Sequence, residues 1–153
     1  MISIDETKLQ VFLCSCPANF PFWFAKHLWF EVNDHGTLTR YEILFYTQIT
    51  ADSTRQHLFT NAFKHFQGIE VFPFLSLIHW PASILKCFEG SLAVELADVL
   101  EKSLHRYPHK EIYVLSGPNS NTYVQWVFNQ LSTNQTQLPK QAIGARYLQN
   151  HPK

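Results

Sequence analysis

His27, Glu42 and Ser120 are the residues of this chain whose types and spacing point to chemistry. The runs Trp23 to Val32 and Thr37 to Thr47 are rich in β-formers and flank Asn33-Asp34-His35-Gly36, which reads as an antiparallel hairpin. A turn centred on Asp34-His35 puts Val32 opposite Thr37 and His27 opposite Glu42. Opposed residues on one face lie about 4.5–5.5 Å apart at Cβ, within reach of an imidazole–carboxylate hydrogen bond. A carboxylate that holds one ring nitrogen fixes the tautomer and raises the basicity of the other. A three-residue loop with a bulge shifts the pairing by one and breaks it. The structural alternative is a surface or hydrogen-bonded strand histidine.

Ser120 lies in Gly117-Pro118-Asn119-Ser120-Asn121-Thr122-Tyr123, a loop leading into an apolar-periodic segment. A hydroxyl at a helix start feels the positive end of the helix dipole. That field stabilises an alkoxide or oxyanion, and free N–H groups of the first turn can act as donors. Asn119 and Ser120 are also the residue types that cap helices for structural reasons alone.

The elements that must position these groups follow from periodicity. Leu9 to Cys14 reads as a first strand, with Pro17 and Pro21 bracketing the loop after it. A short helix is expected around 53–66 and an apolar strand near Ile69 to Leu77. From Glu89 to Tyr107, Leu92, Leu96, Val99, Leu100 and Leu104 fall on one helical face, and Pro108 stops the helix. Ile112 to Leu115 reads as a short strand. A second helix over 120–131 puts Tyr123, Val124, Val127, Phe128 and Leu131 on one face, with Asn119 or Ser120 as N-cap. The polar stretch Ser132 to Gln137 and Pro139 close it. Strands before and between helices, with one long hairpin, predict an α+β fold: one domain over 1–153, an antiparallel sheet with helices packed on it.

Composition bounds the partners. Twelve Lys+Arg balance twelve Asp+Glu, and charged residues are only 16% of the chain, against about 25% in ordinary domains. That argues against a nucleic-acid binder, or an acidic-membrane binder, that works by bulk charge. Aromatic residues at 15% are too many for a disordered chain. Cys14, Cys16 and Cys87 form no zinc or redox pair and read as buried or half-buried thiols. His105 and His109 are four apart, but Pro108 intervenes, and His57 and His65 have no adjacent acid or thiol; no metal or other cofactor is expected. Gly117-Pro118 lacks the glycine repeat and Lys-Ser/Thr ending of a phosphate loop. The Phe20-Pro21-Phe22-Trp23-Phe24 cluster reads as core or partner surface, and His79-Trp80-Pro81 is a minor candidate to line the same cleft.

Two acids precede the first apolar run, the reverse of a signal peptide's basic start. No apolar stretch approaches the roughly 18 residues that span a bilayer. A soluble, cytoplasmic protein without a transmembrane segment is expected, with export by a route lacking a cleaved leader left open.

The segment LSGPNSNTYVQWVFNQL, followed by LPKQAIGARYL, resembles a bacterial family catalogued as a domain of unknown function. Its signature is close to GPNSNT(F/Y)xxW with a following LPxxAIG. Upstream elements of that pattern are His27-Leu28-Trp29 and Arg40-Tyr41-Glu42. More distantly, the order of His strand, polar strand and nucleophile at a helix start is similar to circularly permuted papain-like (NlpC-type) domains. These include the lecithin–retinol acyltransferase relatives. The likeness implies His27 as general base, Glu42 as the orienting group and Ser120 in the place of the cysteine nucleophile. Trp29, Asn119, Asn121 and Thr122 are implied as cleft or binding residues. A serine hydroxyl is a far weaker nucleophile than a thiol. The leading expectation is therefore a catalytically silent papain-like cleft that binds a peptide, lipid or glycan fragment. The alternatives are a serine-dependent amide or ester hydrolase or acyltransferase, and a protein-interaction module.

Overall fold

A computed structural model of the chain describes residues 3–133 and 136–152. Asn134 and Gln135, within the polar stretch expected to close the second helix, lie outside the described residues, as do Met1 and Ile2 of the N-terminal run.

Alternation along the strands builds the sheet. In β1 (Leu9–Pro17), Val11 and Leu13 turn to one face, and Phe12, Cys14 and Cys16 to the other. All are buried, so both faces are covered, and the strand reads as a near-continuous apolar run. β2 (Lys26–Asp34) repeats the pattern, with Leu28, Phe30 and Val32 on the first face and Trp29 on the second. With β3 (Thr37–Ile49), β4 (Arg55–Thr60) and β7 (Ser83–Phe88) they form a five-stranded antiparallel sheet in the order β4-β3-β2-β1-β7. β5 (Gln67–Glu70) and β6 (His79–Pro81) make a separate two-stranded sheet. Its Ile69 and Trp80 pack on the second face with Phe12, Cys14, Trp29 and Leu44.

The helices cover the first face. α1 (Gly90–Arg106) brings Ala93, Leu96 and Leu100, and α2 (Ser120–Asn129) brings Tyr123, Val124, Val127 and Phe128, against Val11, Leu13, Leu28, Phe30 and Leu58. The hydroxyls of Ser103 and Tyr123, 2.7 Å apart, tie the two helices together. A fully buried leucine such as Leu96 is worth about 2–5 kcal/mol against alanine. A last helix, α3, is the single turn Tyr147–Asn150. The chain is an α+β protein, and among the described residues no helix is long and apolar enough to cross a membrane.

Four local expectations are corrected. The helix expected at 53–66 is instead β4 and its turns, because Gln56 and Leu58 both face inward and the polar Gln56 masks the strand alternation. The strand expected from Ile69 to Leu77 ends at Glu70, and residues 71–78 form an irregular, largely exposed loop. Residues 112–115 are β-formers without a sheet neighbour and take no regular structure. The hairpin loop is His35-Gly36, with φ of 50° and 93°, the two positive values that a type I′ turn requires. The turn centre therefore lies one residue later than expected, and Val32 pairs with Thr39, not Thr37. Asn33 stabilises this turn by accepting from the Gly36 N–H at 2.8 Å.

Candidate functional site

In the observed register His27 and Glu42 are not opposed, as the sequence reading had them, but diagonal. The correction moves each partner by two positions, which preserves the face, since side chains alternate with period two. Diagonal neighbours remain within reach of long side chains. His27 Nε2 lies 3.1 Å from Glu42 Oε2. The carboxylate accepts, so Nε2 carries the hydrogen. Nδ1 makes no hydrogen bond to the described residues.

Glu42 is fully buried and needs a cation. Arg40, two residues earlier on the same face, supplies it. Its Nη2 donates to Oε2 at 2.8 Å, and its Nε lies 2.7 Å from Oε1, off the line of a hydrogen bond. Burial pushes the Glu42 carboxyl up, but the His27 hydrogen bond and the Arg40 charge outweigh it and hold the group below its ordinary range. Arg40 Nη1 donates to the Lys64 and Gln67 carbonyls, and the guanidinium lies 4.4 Å over the Trp29 ring. Glu31 extends the network: it accepts from Trp29 Nε1 at 3.0 Å and the Phe66 N–H at 3.0 Å, and pairs with His65 Nδ1 at 2.8 Å. Sequence reasoning did not assign roles to Arg40, Glu31 or His65. The available signal was the two-residue spacing of hydrogen-bonding groups, Arg40/Glu42 and Trp29/Glu31, on strands otherwise apolar.

The start of α2 is fixed by two sequence segments acting as one. Asn119 is the N-cap. Its Oδ1 accepts from the Asn121 and Thr122 N–H groups, and Thr122 Oγ1 accepts from the Asn119 N–H, a capping box. Its Nδ2 donates to the Leu115 and Ile143 carbonyls at 2.7 and 3.0 Å. Asn121 Nδ2 donates to the carbonyls of Lys26 and Ile143, both at 2.8 Å, and Thr122 Oγ1 donates to that of Gly144 at 2.8 Å. A Cβ on Gly144, whose φ is 93°, would stand 2.4 Å from Asn119 Nδ2. The Asn-Ser-Asn-Thr run and the Ala142-Ile143-Gly144 run are thus the two halves of a hydrogen-bonded joint. Three of the four residues of the first run are consumed by it. Ser120, the first helical residue, is the exception: neither its hydroxyl nor its N–H makes a hydrogen bond among the described residues.

His27 lies on the face away from α2, with Trp29 and Glu31. The two sites meet at the end of the sheet, where Asn121 holds the first turn of α2 against Lys26, the first residue of β2. A cavity of about 30 Å³ there is lined by His27, Ser120, Asn119 and Asn121, with Ala18, Asn19, Tyr113 and Leu115 among its walls. That is room for about one water molecule. His27 and Ser120 are 4% and 3% exposed. Ser120 Oγ makes no hydrogen bond to His27. Asn121 Oδ1 is buried and unpartnered, the one acceptor of the joint left unused. Glu42 stands behind His27. Trp29 and Thr122 are fully buried and are not among the lining residues.

The cap also limits the chemistry. Of the first-turn N–H groups expected as oxyanion donors, those of Asn121 and Thr122 are taken by Asn119, and that of Tyr123 by the Asn119 carbonyl. The Ser120 N–H remains. Among the described residues no group of three His, Cys, Asp or Glu is placed to hold a metal ion. The thiols are not reactive substitutes for a nucleophile: burial pushes Cys16 up to about 12, and Cys14 higher still.

The chain belongs to the family described as Protein of unknown function (DUF3750), whose model matches residues 6–147. No curated protein and no solved structure matches it.

Proposed function

We propose that this member of the family is a catalytically silent binding protein. In this reading the cleft between His27, Ser120 and Asn121 takes the end of a peptide, lipid or glycan fragment. The observation that carries the reading is the consumption of the first-turn donors of α2 by the Asn119 cap. Acyl-transfer sites draw much of their rate from preorganised donors aimed at the developing oxyanion, and here one first-turn N–H is left. The remaining free groups, the Ser120 hydroxyl and N–H, His27 Nδ1 and Asn121 Oδ1, are two-way hydrogen-bonding partners for a small polar terminus. The likeness to permuted papain-like domains supports the same cleft with serine standing where the nucleophilic cysteine would be.

One observation favours the runner-up, a serine-dependent hydrolase or acyltransferase. The His27–Glu42 pair has the orientation of a carboxylate-held base, and His27 lines a cavity with the helix-start residue Ser120. Incubation with a serine-directed fluorophosphonate, read by intact mass and peptide mapping, separates the two. The binding reading expects no adduct on Ser120 and no turnover of ester or amide reporters. It also expects a thermal shift with small peptide, acyl or sugar fragments that Ser120→Ala and Asn121→Ala reduce. Stoichiometric labelling of Ser120, abolished by His27→Ala, replaces it with the hydrolase.

A further inference from the structure

Two adjoining loops, the first of which borders the cleft, carry most of the large apolar side chains exposed among the described residues. Residues 17–25 expose Phe20, Phe22, Trp23 and Phe24, with Trp23 59% exposed. Residues 71–78 expose Phe74, Leu75, Leu77 and Ile78, with Phe74 and Leu77 at 77% and 88%. The loops are one surface. The Phe20 N–H donates to the Val71 carbonyl at 2.8 Å, Asn19 Nδ2 donates to that of Glu70, and the Phe20 and Phe72 rings pack 5.7 Å apart. Such clustering on a soluble domain marks a contact site rather than chance exposure.

We infer that this surface docks on a lipid bilayer by insertion of the loop tips, bringing the mouth of the cleft to the membrane. Two observations select a bilayer over a protein partner. Neither 17–25 nor 71–85 contains an Asp, Glu, Lys or Arg, whereas the rim of a protein interface is ordinarily polar. Turn bonds hold both loops in shape: Phe22 N to Asn19 O, Ala25 N to Phe22 O, Val71 N to Ile78 O, Leu75 N to Phe72 O. Irregular backbone does not enter the hydrocarbon core, so insertion is of side chains at the headgroup boundary. The exposed tips also carry Trp23 with Phe and Leu side chains, the types that interfacial segments bury at the headgroup boundary. The nearest buried acid, Glu70, is covered by the Tyr46 hydroxyl.

The surface continues to the cleft on both sides. Ala18, Asn19 and Ala25 of the first loop line the cavity, and so do Tyr113 and Leu115. Phe45 links the second loop to that far wall, its ring 5.6 Å from Phe74 and 6.4 Å from Tyr113. Docking therefore sets the cavity against the bilayer, which narrows the ligand to a small polar group at the end of a lipid headgroup; this last step rests on the binding reading above. Because the chain is formally neutral, attachment comes from apolar insertion and is independent of lipid charge and of salt.

The test uses the full chain and vesicles of pure phosphatidylcholine or of phosphatidylcholine with phosphatidylglycerol, read by co-sedimentation and tryptophan emission. Expected are partitioning into both vesicle types with little effect of salt and a blue shift from Trp23. The double variant Trp23→Asp/Leu77→Asp, whose side chains support no core, should keep the wild-type circular dichroism and lower the partition coefficient about tenfold or more. Absence of partitioning into either vesicle overturns the inference and leaves the cleft reading standing. Binding confined to anionic vesicles and abolished by salt also overturns it. So does a concentration-dependent dimer in sedimentation velocity that the double variant dissociates, with no vesicle binding, since the surface then serves a second copy of the chain. Vesicle binding without any cleft ligand supports docking and refutes only the cleft.

Discussion

His27 and Glu42 are joined diagonally across the β2–β3 hairpin, and the carboxylate that holds the imidazole is itself held by Arg40 from the neighbouring same-face position. The order of support runs Arg40, Glu42, His27, all three nearly or wholly buried.

That order predicts an acid-side loss of stability. The Glu42 carboxyl is held below its ordinary value of 4.5 in the folded chain. Below that value the unfolded chain binds the proton first, so stability rises with pH there. The contribution is complete above about pH 4.5 and is lost as the pH falls through the folded value. Urea midpoints measured down this range should fall more gently for Glu42→Gln than for wild type. At neutral pH the same variant should cost about 3–5 kcal/mol, because it removes the carboxylate bonded to Arg40 and leaves the buried guanidinium only Glu31, 3.9 Å away.

The helix start separates a structural asparagine from an uncommitted serine. Asn119→Ala removes the cap and the bonds to Leu115 and Ile143 and should cost about 1–2 kcal/mol or more. Ser120→Ala removes no protein hydrogen bond and should stay within about 0.5 kcal/mol of wild type. Chemical denaturation of both variants decides this, and a large loss at Ser120 would show that its hydroxyl is structural.

Gly144→Ala should disturb the joint from the other side. A side chain at a positive φ costs about 1–3 kcal/mol, and its Cβ meets the Asn119 amide. Hydrogen exchange at the Asn121 and Thr122 amides should accelerate in this variant, while the amides of β1 and β2 keep their protection.

The thiols should react in a fixed order. Cys14 and Cys16 are buried with raised ionisation, whereas Cys87 is half-buried and raised less. A disulfide reagent added to the native protein should modify Cys87 first, with Cys14 and Cys16 reacting after denaturation. Native labelling of Cys16 ahead of Cys87 would contradict the packing of β1 under the small sheet.

The sequence made some of this legible and hid the rest for identifiable reasons. α1 and α2 were readable because their apolar residues recur at helical spacing and each is bounded by a clear stop or cap. The His27–Glu42 neighbourhood was readable although the register was wrong, because an error of two positions leaves every side chain on its own face. The stretch from 50 to 88 was not readable. Its turns place Ser53, Asn61, Phe66 and Phe74 at positive φ without glycine to mark them, and inward Gln56 breaks the alternation of β4. The joint between Asn119 and Gly144 was visible only as two motifs, since nothing in either run names the other as its partner.

That joint also gives the cleft a place in the order of synthesis. The carbonyls that receive Asn119, Asn121 and Thr122 belong to Ile143 and Gly144, more than twenty residues downstream. While the chain grows from its N-terminus, the sheet strands and both long helices emerge before those acceptors exist. The first turn of α2 cannot seat against Lys26 in its final form until Gly144 has left the ribosome. The cleft is thus completed only after both long helices have been made.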